Sequence, residues 1–406
     1  MLNHSQQIVF NQAIEWWNTK NSQTFEISGP PGSGKTFLIN EIIDSLGIDR
    51  DRIAPMAYTG AAAINMRTKG MYNAKTCFSW LYRCFEVPVL KPDGTPVYDK
   101  VFNKPKTRLE FVPISHLSDI DLIIVDESGM ITPEMRKVID SMNLPVLAVG
   151  DLNQLPPITG SSGYLNNPST VHTLNEIVRQ ESSNTIIQFS QMALRGLDIP
   201  IGHHGNVYVI YDDQLNDEII KNSQIIICSR NSTRDEMISR VRNNILGIHS
   251  NLPVHGERLV CRKNNWEQEV GGISLTNGLL GNVINYPDAS SMDLKNLTYK
   301  LSFKPDIIPE AFINLDADYR YLLADHKTRN DLKNSKYSFG DKFEFGYAIT
   351  THMSQGSEFD NGIYIEEYLK KDINNRLHYV GLTRFKRICV YVKHRPKKYY
   401  NGIKRV

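Results

Sequence analysis

Cysteine is scarce in this chain: Cys77, Cys84, Cys228, Cys261 and Cys389 are the five among 406 residues, with no C-x-x-C and no paired spacing. Their scatter excludes a disulfide-stapled secreted scaffold and a thiolate zinc site, and it fits a reducing compartment. Long apolar runs are missing too, and none approaches the about 20 residues of a membrane-spanning helix. The first residues, MLNHSQQIVFNQ, lack the basic start and apolar core of a signal peptide, so a cytoplasmic protein is expected. Neither sign of charge is in excess. Lys and Arg number 46 against 44 Asp and Glu, a net of +2, so a polyanion would have to be met by a local patch. The sequence also has no internal repeat and no low-complexity tract. What is present, 41% hydrophobic and 22% charged residues over this length, is the composition of a folded protein with more than one core.

Residues 24–28, 53–58, 122–125 and 146–149 are short apolar runs, each followed by Gly, Asp or Thr and then by a helical pattern. That is the rhythm of a parallel α/β sheet, whose ligands sit at the carboxyl ends of its strands. Between the second and third runs, Cys84 to Ser115 break the rhythm. Their VLKPDGTPVYDKVF places Asp93-Gly94 between β-formers, a hairpin signal. A second α/β rhythm starts at IIICSRN, Ile225 to Asn231, and resumes at FGYAITT and RICVYVK. The residues between, 256–340, include GISLTNGLLGNVINY, which reads as strand, turn, strand. Two α/β domains, each interrupted by an insertion, are the simplest parse. The final KHRPKKYYNGIKRV reads as a solvated basic tail.

FEISGPPGSGKTFLI carries G-x-x-x-x-G-K-T, from Gly29 to Thr36, between a strand and a helix. In such a loop, backbone N–H groups and a helix N-terminus aim into one small volume and cradle phosphate. Gly29, Gly32 and Gly34 let the backbone curl without a Cβ in the way, and Pro30, Pro31 and Ser33 complete the loop. Lys35 would reach the β and γ phosphates, and the Thr36 hydroxyl would ligate Mg²⁺. DLIIVDESGM adds Asp126 at a strand end, to hold the Mg²⁺ water shell, and Glu127, to orient or deprotonate an attacking water. No N-K-x-D is present to read guanine, so ATP with Mg²⁺ is the expected pair of ligands. LAVGDLNQLPPI ends a third strand at Gly150-Asp151; Gln154, three residues on, can sense a γ-phosphate through its amide.

With GDLNQLPP on the page, the chain resembles the superfamily 1 helicases, whose motif III reads G-D-x-x-Q-L-P-P, and most closely their RecD-like and Dda-like branch. LNHSQ resembles the glutamine motif, in which Gln6 would read adenine, with Gln7 as the alternative reader. AYTGAAA, Ala57 to Ala63, resembles motif Ia and implies a nucleic-acid phosphate at Thr59 and Gly60. LNEIVRQ resembles motif IV, with Arg179 on the γ-phosphate. AITTHMSQGSEFD resembles motif V, in which Gln355, Gly356 and Glu358 would serve the nucleotide and Thr350 and His352 the strand. YVGLTRFKR resembles motif VI and offers Arg384 as an arginine finger. Three positions depart from the pattern. Met353 stands where Lys is usual, Thr76-Cys77-Phe78 where T-x-H is usual, and Phe385 where a small residue is usual.

The resemblance implies an α/β fold of two RecA-like parallel-sheet motor domains, residues 1–83 with 116–196 and residues 197–255 with 341–406. Each would carry a small mainly-β insertion: a β-hairpin pin at 84–115 and an SH3-like domain at 256–340. It further implies an ATP-dependent DNA helicase in a bacterial cell or phage-infected host. Such an enzyme would move 5′ to 3′ as a monomer on single-stranded DNA and at single–double-strand junctions, alongside replication or recombination proteins. Candidates for base stacking are Phe78, Trp80, Trp266 and the pin residues Tyr98 and Phe102. Two other readings use the same loop. One is a nucleotide-gated single-strand clamp that does not translocate; the other is an RNA-directed motor, since no 2′-OH reader stands out.

Overall fold

The computed structural model describes residues 2–98, 105, 107–157, 160–176, 184–334, 339–369 and 371–395. Its first sheet has six parallel strands in the spatial order Lys75–Thr76, Ile53–Ala57, Leu122–Asp126, Val146–Gly150, Thr24–Ser28, Val171–Thr173. The runs Leu122–Val125 and Val146–Gly150 are wholly buried, as strands covered on both faces must be. Because the strands are parallel, their carboxyl ends share one edge. Ser28 pairs with Gly150 and Ala57 with Asp126, which sets the phosphate loop, motif Ia and both acidic strand ends side by side.

The second sheet runs Ala348–Thr350, Ile226–Cys228, Phe359–Ile365, Phe385–Lys393, Val207–Tyr211, Gly202–His204, parallel except for the last pair. The helix Thr185–Leu194 belongs to it. Ile186, Phe189 and Ala193 form one apolar stripe, and they pack in the same core as Val207, Tyr364 and Tyr391. The expected boundary at residue 196 is therefore corrected to a point before Asn184, because the stripe finds its cover on the second sheet.

The first insertion is an antiparallel hairpin, Tyr82–Pro88 with Thr107–Pro113. Asp93-Gly94 does turn the chain: Gly94 has φ +81°, and Asp93 Oδ1 accepts from Thr95 N–H at 2.9 Å. It is a side turn, however, closing a bridge between Leu90 and Pro96, and a second antiparallel bridge joins Tyr98 to Pro105. The second insertion is an antiparallel sheet built from Arg258–Cys261, Leu280–Val283, Met292–Asp293, Thr298–Pro305 and Phe312–Asp318. Phe343–Phe345 joins it beside Arg258–Cys261, so this sheet continues past the expected limit at 340. Arg234, 2% exposed on a helix of the second domain, pairs with Glu344 at 3.1 Å and fastens that sheet to its host.

Candidate nucleotide site and strand cleft

The loop between strand Thr24–Ser28 and helix Lys35–Leu46 passes through two left-handed residues, Gly32 (φ +78°) and Gly34 (φ +75°), a conformation that a Cβ would strain. Gly29 is required for a different reason: a Cβ there would lie 2.5 Å from Ser33 Oγ. That hydroxyl is buried without a hydrogen-bond partner, an orphan polar group in what is shaped as an anion cradle. Lys35 Nζ folds back onto the carbonyls of Gly29 (2.7 Å) and Pro30 (3.1 Å). Gln6 is buried against the same loop. Its Nε2 donates to the Ser33 carbonyl at 2.9 Å, and its Oε1 accepts from Asn3 N–H at 3.0 Å as half of a capping box, so the start of the first helix aims it. Gln7 is exposed and bonded to Asn11 along its own helix, not to the loop.

Asp126 ends its strand with a carboxyl pushed up to about 6, chiefly by burial and next by the charge of Glu127, with Lys35 pulling the other way. Glu127 holds a left-handed φ of +50°, uncommon for a residue with a side chain and a local strain of the kind found at functional sites. Its N–H bonds Asp126 Oδ1 at 2.9 Å. Two adjacent carboxylates, with the charges of Lys35 and Lys69 both felt at Asp126, make an acidic oxygen site. That suits Mg²⁺, a hard cation content with one carboxylate, the Thr36 hydroxyl, phosphate oxygens and water.

The second domain closes on this edge. Tyr379, fully buried on helix Lys371–Leu382, donates its hydroxyl to Asp151 Oδ2. Burial raises Asp151, and Lys35 and the Tyr379 hydroxyl oppose the rise. Gln355 Nε2 donates to the Leu155 carbonyl at 3.2 Å, and Leu155 packs with Leu377, Tyr379 and Val380 in an apolar cluster drawn from both domains. Gly356 (φ +77°) sits so close to motif Ia that a Cβ would lie 2.9 Å from both Thr59 Oγ1 and Ala62 Cβ. Arg384 is 4% exposed, its guanidinium bonded to the carbonyls of Val380 (3.1 Å) and Ser357 (3.3 Å) and to the Thr383 hydroxyl (3.1 Å). Its charge is felt at Tyr379, as are those of Asp151 and Glu127. The Tyr379–Asp151 bond thus has the phosphate-loop strand on one side of the boundary and the Arg384 segment on the other. Glu358 joins the boundary differently from the expectation. Against the upward push of burial, Lys69 of the first domain (3.7 Å) and Lys386 (3.2 Å) hold its carboxyl below the usual range, so here it serves a domain contact. Arg179 lies outside the described residues.

Residues 1–200 match the AAA domain family. The chain is 22% identical, over 92% of its length, to the uncharacterised protein MJ1519 of Methanocaldococcus jannaschii, of which it spans 37%. It is 22% identical over 91% of its length to the RecBCD enzyme subunit RecD of Buchnera aphidicola, covering 69% of that subunit. Among solved structures, Bacteroides Pif1 bound to ssDNA superposes with a TM-score of 0.52 at 19% identity, covering 96% of this chain and 92% of that one. The chain shares its overall fold with Bacteroides Pif1. No helix among its described residues is long and apolar enough to cross a membrane.

Beside the start of helix Gly60–Thr68 opens a cleft of about 300 Å³, lined by the first domain, the hairpin and the second insertion. Gly60, Phe78, Tyr82, Phe111, Trp266 and Thr276 are on its walls, and Arg67 and Lys75 add positive charge. Phe78 stacks on Tyr82 at 5.2 Å and meets Phe111 edge-on at 5.9 Å. Gly60 opens helix Gly60–Thr68, whose N-cap Thr59 accepts from Ala62 N–H at 3.2 Å and keeps its own hydroxyl proton to donate. Trp80 is a correction to the stacking candidates: its indole N–H donates to the Pro55 carbonyl at 2.8 Å and its ring packs against the first domain's core. Tyr98 is exposed on the hairpin, and Phe102 lies outside the described residues. Thr350, buried at a strand end, and His352 lie on the second domain and do not line this cleft. Burial holds His352 below the ordinary histidine range, so it is neutral near pH 7. Tyr82 and Phe111 escaped the sequence reading because their shared face follows only from the pairing of Cys84 with Phe111. Asp151 and Tyr379 had a signal, since both sit inside the quoted motifs.

Proposed function

We propose that this protein is an ATP-driven DNA helicase that binds ATP and Mg²⁺ between its α/β domains, moves 5′ to 3′ along single-stranded DNA and separates duplex at its hairpin. The observation that carries this reading is the hydrogen bond of Tyr379 to Asp151 across the domain boundary, with the phosphate-loop strand paired beside Asp151 on one side and Arg384, held by the Val380 carbonyl at 3.1 Å, on the other. Lys35 would exchange the Gly29 and Pro30 carbonyls for phosphate oxygens. Thr36 and Asp126 would hold Mg²⁺, which when bound neutralises phosphate charge. Glu127 would accept the proton of the attacking water, and Gln154, its N–H fixed to the Asp151 carbonyl at 3.1 Å, would sense the γ-phosphate. Arg384, and Arg179 by the family pattern, would meet the charge of the transferring group. Gripping by Thr59 and Gly60 on one domain and by Thr350 and His352 on the other would alternate as the cleft closes and opens. Each base pair separated costs only about 1.4 kcal/mol, so a short step per ATP is undemanding.

The deciding experiment is ATP hydrolysis with and without single-stranded DNA or RNA, paired with unwinding of duplexes tailed at either end. Stimulation by DNA with unwinding of 5′-tailed duplex is expected. Equal stimulation by RNA would point to an RNA motor, and binding gated by nucleotide without unwinding would point to a clamp. Two variants refine the reading. Trp266→Ala should weaken single-strand binding by about 1–3 kcal/mol while leaving DNA-free hydrolysis unchanged; unaltered affinity removes Trp266 from the strand path. Joining Pro88 to Thr107 through Asn-Gly trims the hairpin above its last pair. This variant should keep DNA-stimulated hydrolysis and lose unwinding, whereas unwinding at the wild-type rate would acquit the hairpin.

A further inference from the structure

Among the described residues, Tyr379 makes the one side-chain hydrogen bond to Asp151 that comes from the opposite domain. Both partners are enclosed, Tyr379 fully and Asp151 at 4% exposure, so water cannot substitute for the phenol. The ring is wedged among Leu155, Leu377 and Val380, which fixes where its hydroxyl falls. On one side, Asp151 ends the strand next to the phosphate loop and interacts with Lys35 and Glu127. On the other, the carbonyl of Val380, the residue after Tyr379, holds Arg384 Nε at 3.1 Å. The phenol therefore stands where the position of the arginine-bearing segment is read against the lysine-bearing wall.

We propose that Tyr379 is a positioning residue for ATP hydrolysis: its hydroxyl, docked on Asp151, sets the register between the two domains that brings Arg384 to the transferring phosphoryl group. This rests on the helicase reading given above. The bond crosses the packed boundary between the two domains, so losing it should cost turnover more than nucleotide affinity, since the phosphate loop and Gln6 lie wholly on the first domain. The Gln355 bond to the Leu155 carbonyl and the Lys69–Glu358 pair still hold the domains together when the hydroxyl is gone. The role is thus to align and not to attach.

The test is Tyr379→Phe, which keeps the ring and its packing, measured in the full chain for DNA-stimulated hydrolysis, KM for ATP and melting temperature. A fall in kcat of about 10- to 100-fold is expected, the size of one hydrogen bond to a charged acceptor, with KM within about threefold. A merely structural phenol would instead lower the melting temperature and move kcat and KM together, and that result overturns the proposal. In an Asp151→Ala background the Tyr379→Phe change should have no further effect on kcat; additive losses would show that the hydroxyl acts elsewhere. A wild type active with DNA beside an undiminished Tyr379→Phe defeats the positioning role alone. A wild type with no hydrolysis defeats the helicase reading, and the positioning role with it.

Discussion

Arg384→Ala is expected to lower DNA-stimulated ATP hydrolysis by about 10³-fold or more while changing the KM for ATP only a few-fold. The asymmetry follows from where charge develops. Lys35 and Mg²⁺ can neutralise the ground-state phosphates, but charge on the equatorial oxygens of the transferring group needs a further cation, and Arg384 lies on the second domain beside the boundary. Its present bonds, to Val380, Ser357 and Thr383, are all within its own domain, so they hold the guanidinium ready without consuming it in a competing ion pair. Arg384→Lys should recover little, because a compact ammonium on a flexible stem does not reproduce the planar fork. Rates and affinities should be read beside the melting temperature, since a buried arginine also packs. Equal losses in ATP binding and in turnover would argue against the finger role.

How much of this was legible beforehand differs sharply between strands and faces. The parallel sheet of the first domain followed from four apolar runs, because a strand buried on both sides has no polar alternation to confuse the eye and ends where ligands bind. Lys75–Thr76 and Val171–Thr173 were not legible: two and three residues carry no periodicity, and they are strands only because neighbours pair with them. The helix Thr185–Leu194 has a clear apolar stripe, yet the stripe says that it needs cover and not which sheet supplies it. Asp93-Gly94 predicted a turn correctly but not its place in the hairpin, since the local signal is blind to the pairing of Tyr82–Pro88 with the more distant Thr107–Pro113. At the site, loop and acid were readable because their chemistry demands neighbours in sequence. Trp80 misled because an aromatic after motif Ia looks like a stacking surface until its indole N–H is seen bonded to Pro55. The coupling of Asp151 to Tyr379 joins residues 228 positions apart, beyond any local pattern.

Lys35→Ala and Glu127→Gln should both abolish measurable hydrolysis, for reasons that nucleotide binding separates. Lys35 is drawn onto the carbonyls of Gly29 and Pro30, so its removal takes away the charge that phosphate would attract, and ATP affinity should fall together with turnover. Glu127→Gln keeps the shape and, at φ +50°, the same strained backbone, but loses the acceptor for the proton of water. ATP and strand binding should therefore survive while turnover falls by about 10²- to 10⁴-fold, the contribution of a positioned general base. The same substitution removes the negative charge beside buried Asp126, whose carboxyl that charge helps to raise. Without nucleotide or Mg²⁺, Glu127→Gln should consequently melt at a higher temperature than the wild type, because a site arranged to receive a cation is repulsive until the cation arrives. A variant that is inactive but no more stable would show that burial alone raises Asp126; one that still turns over ATP would move the base elsewhere.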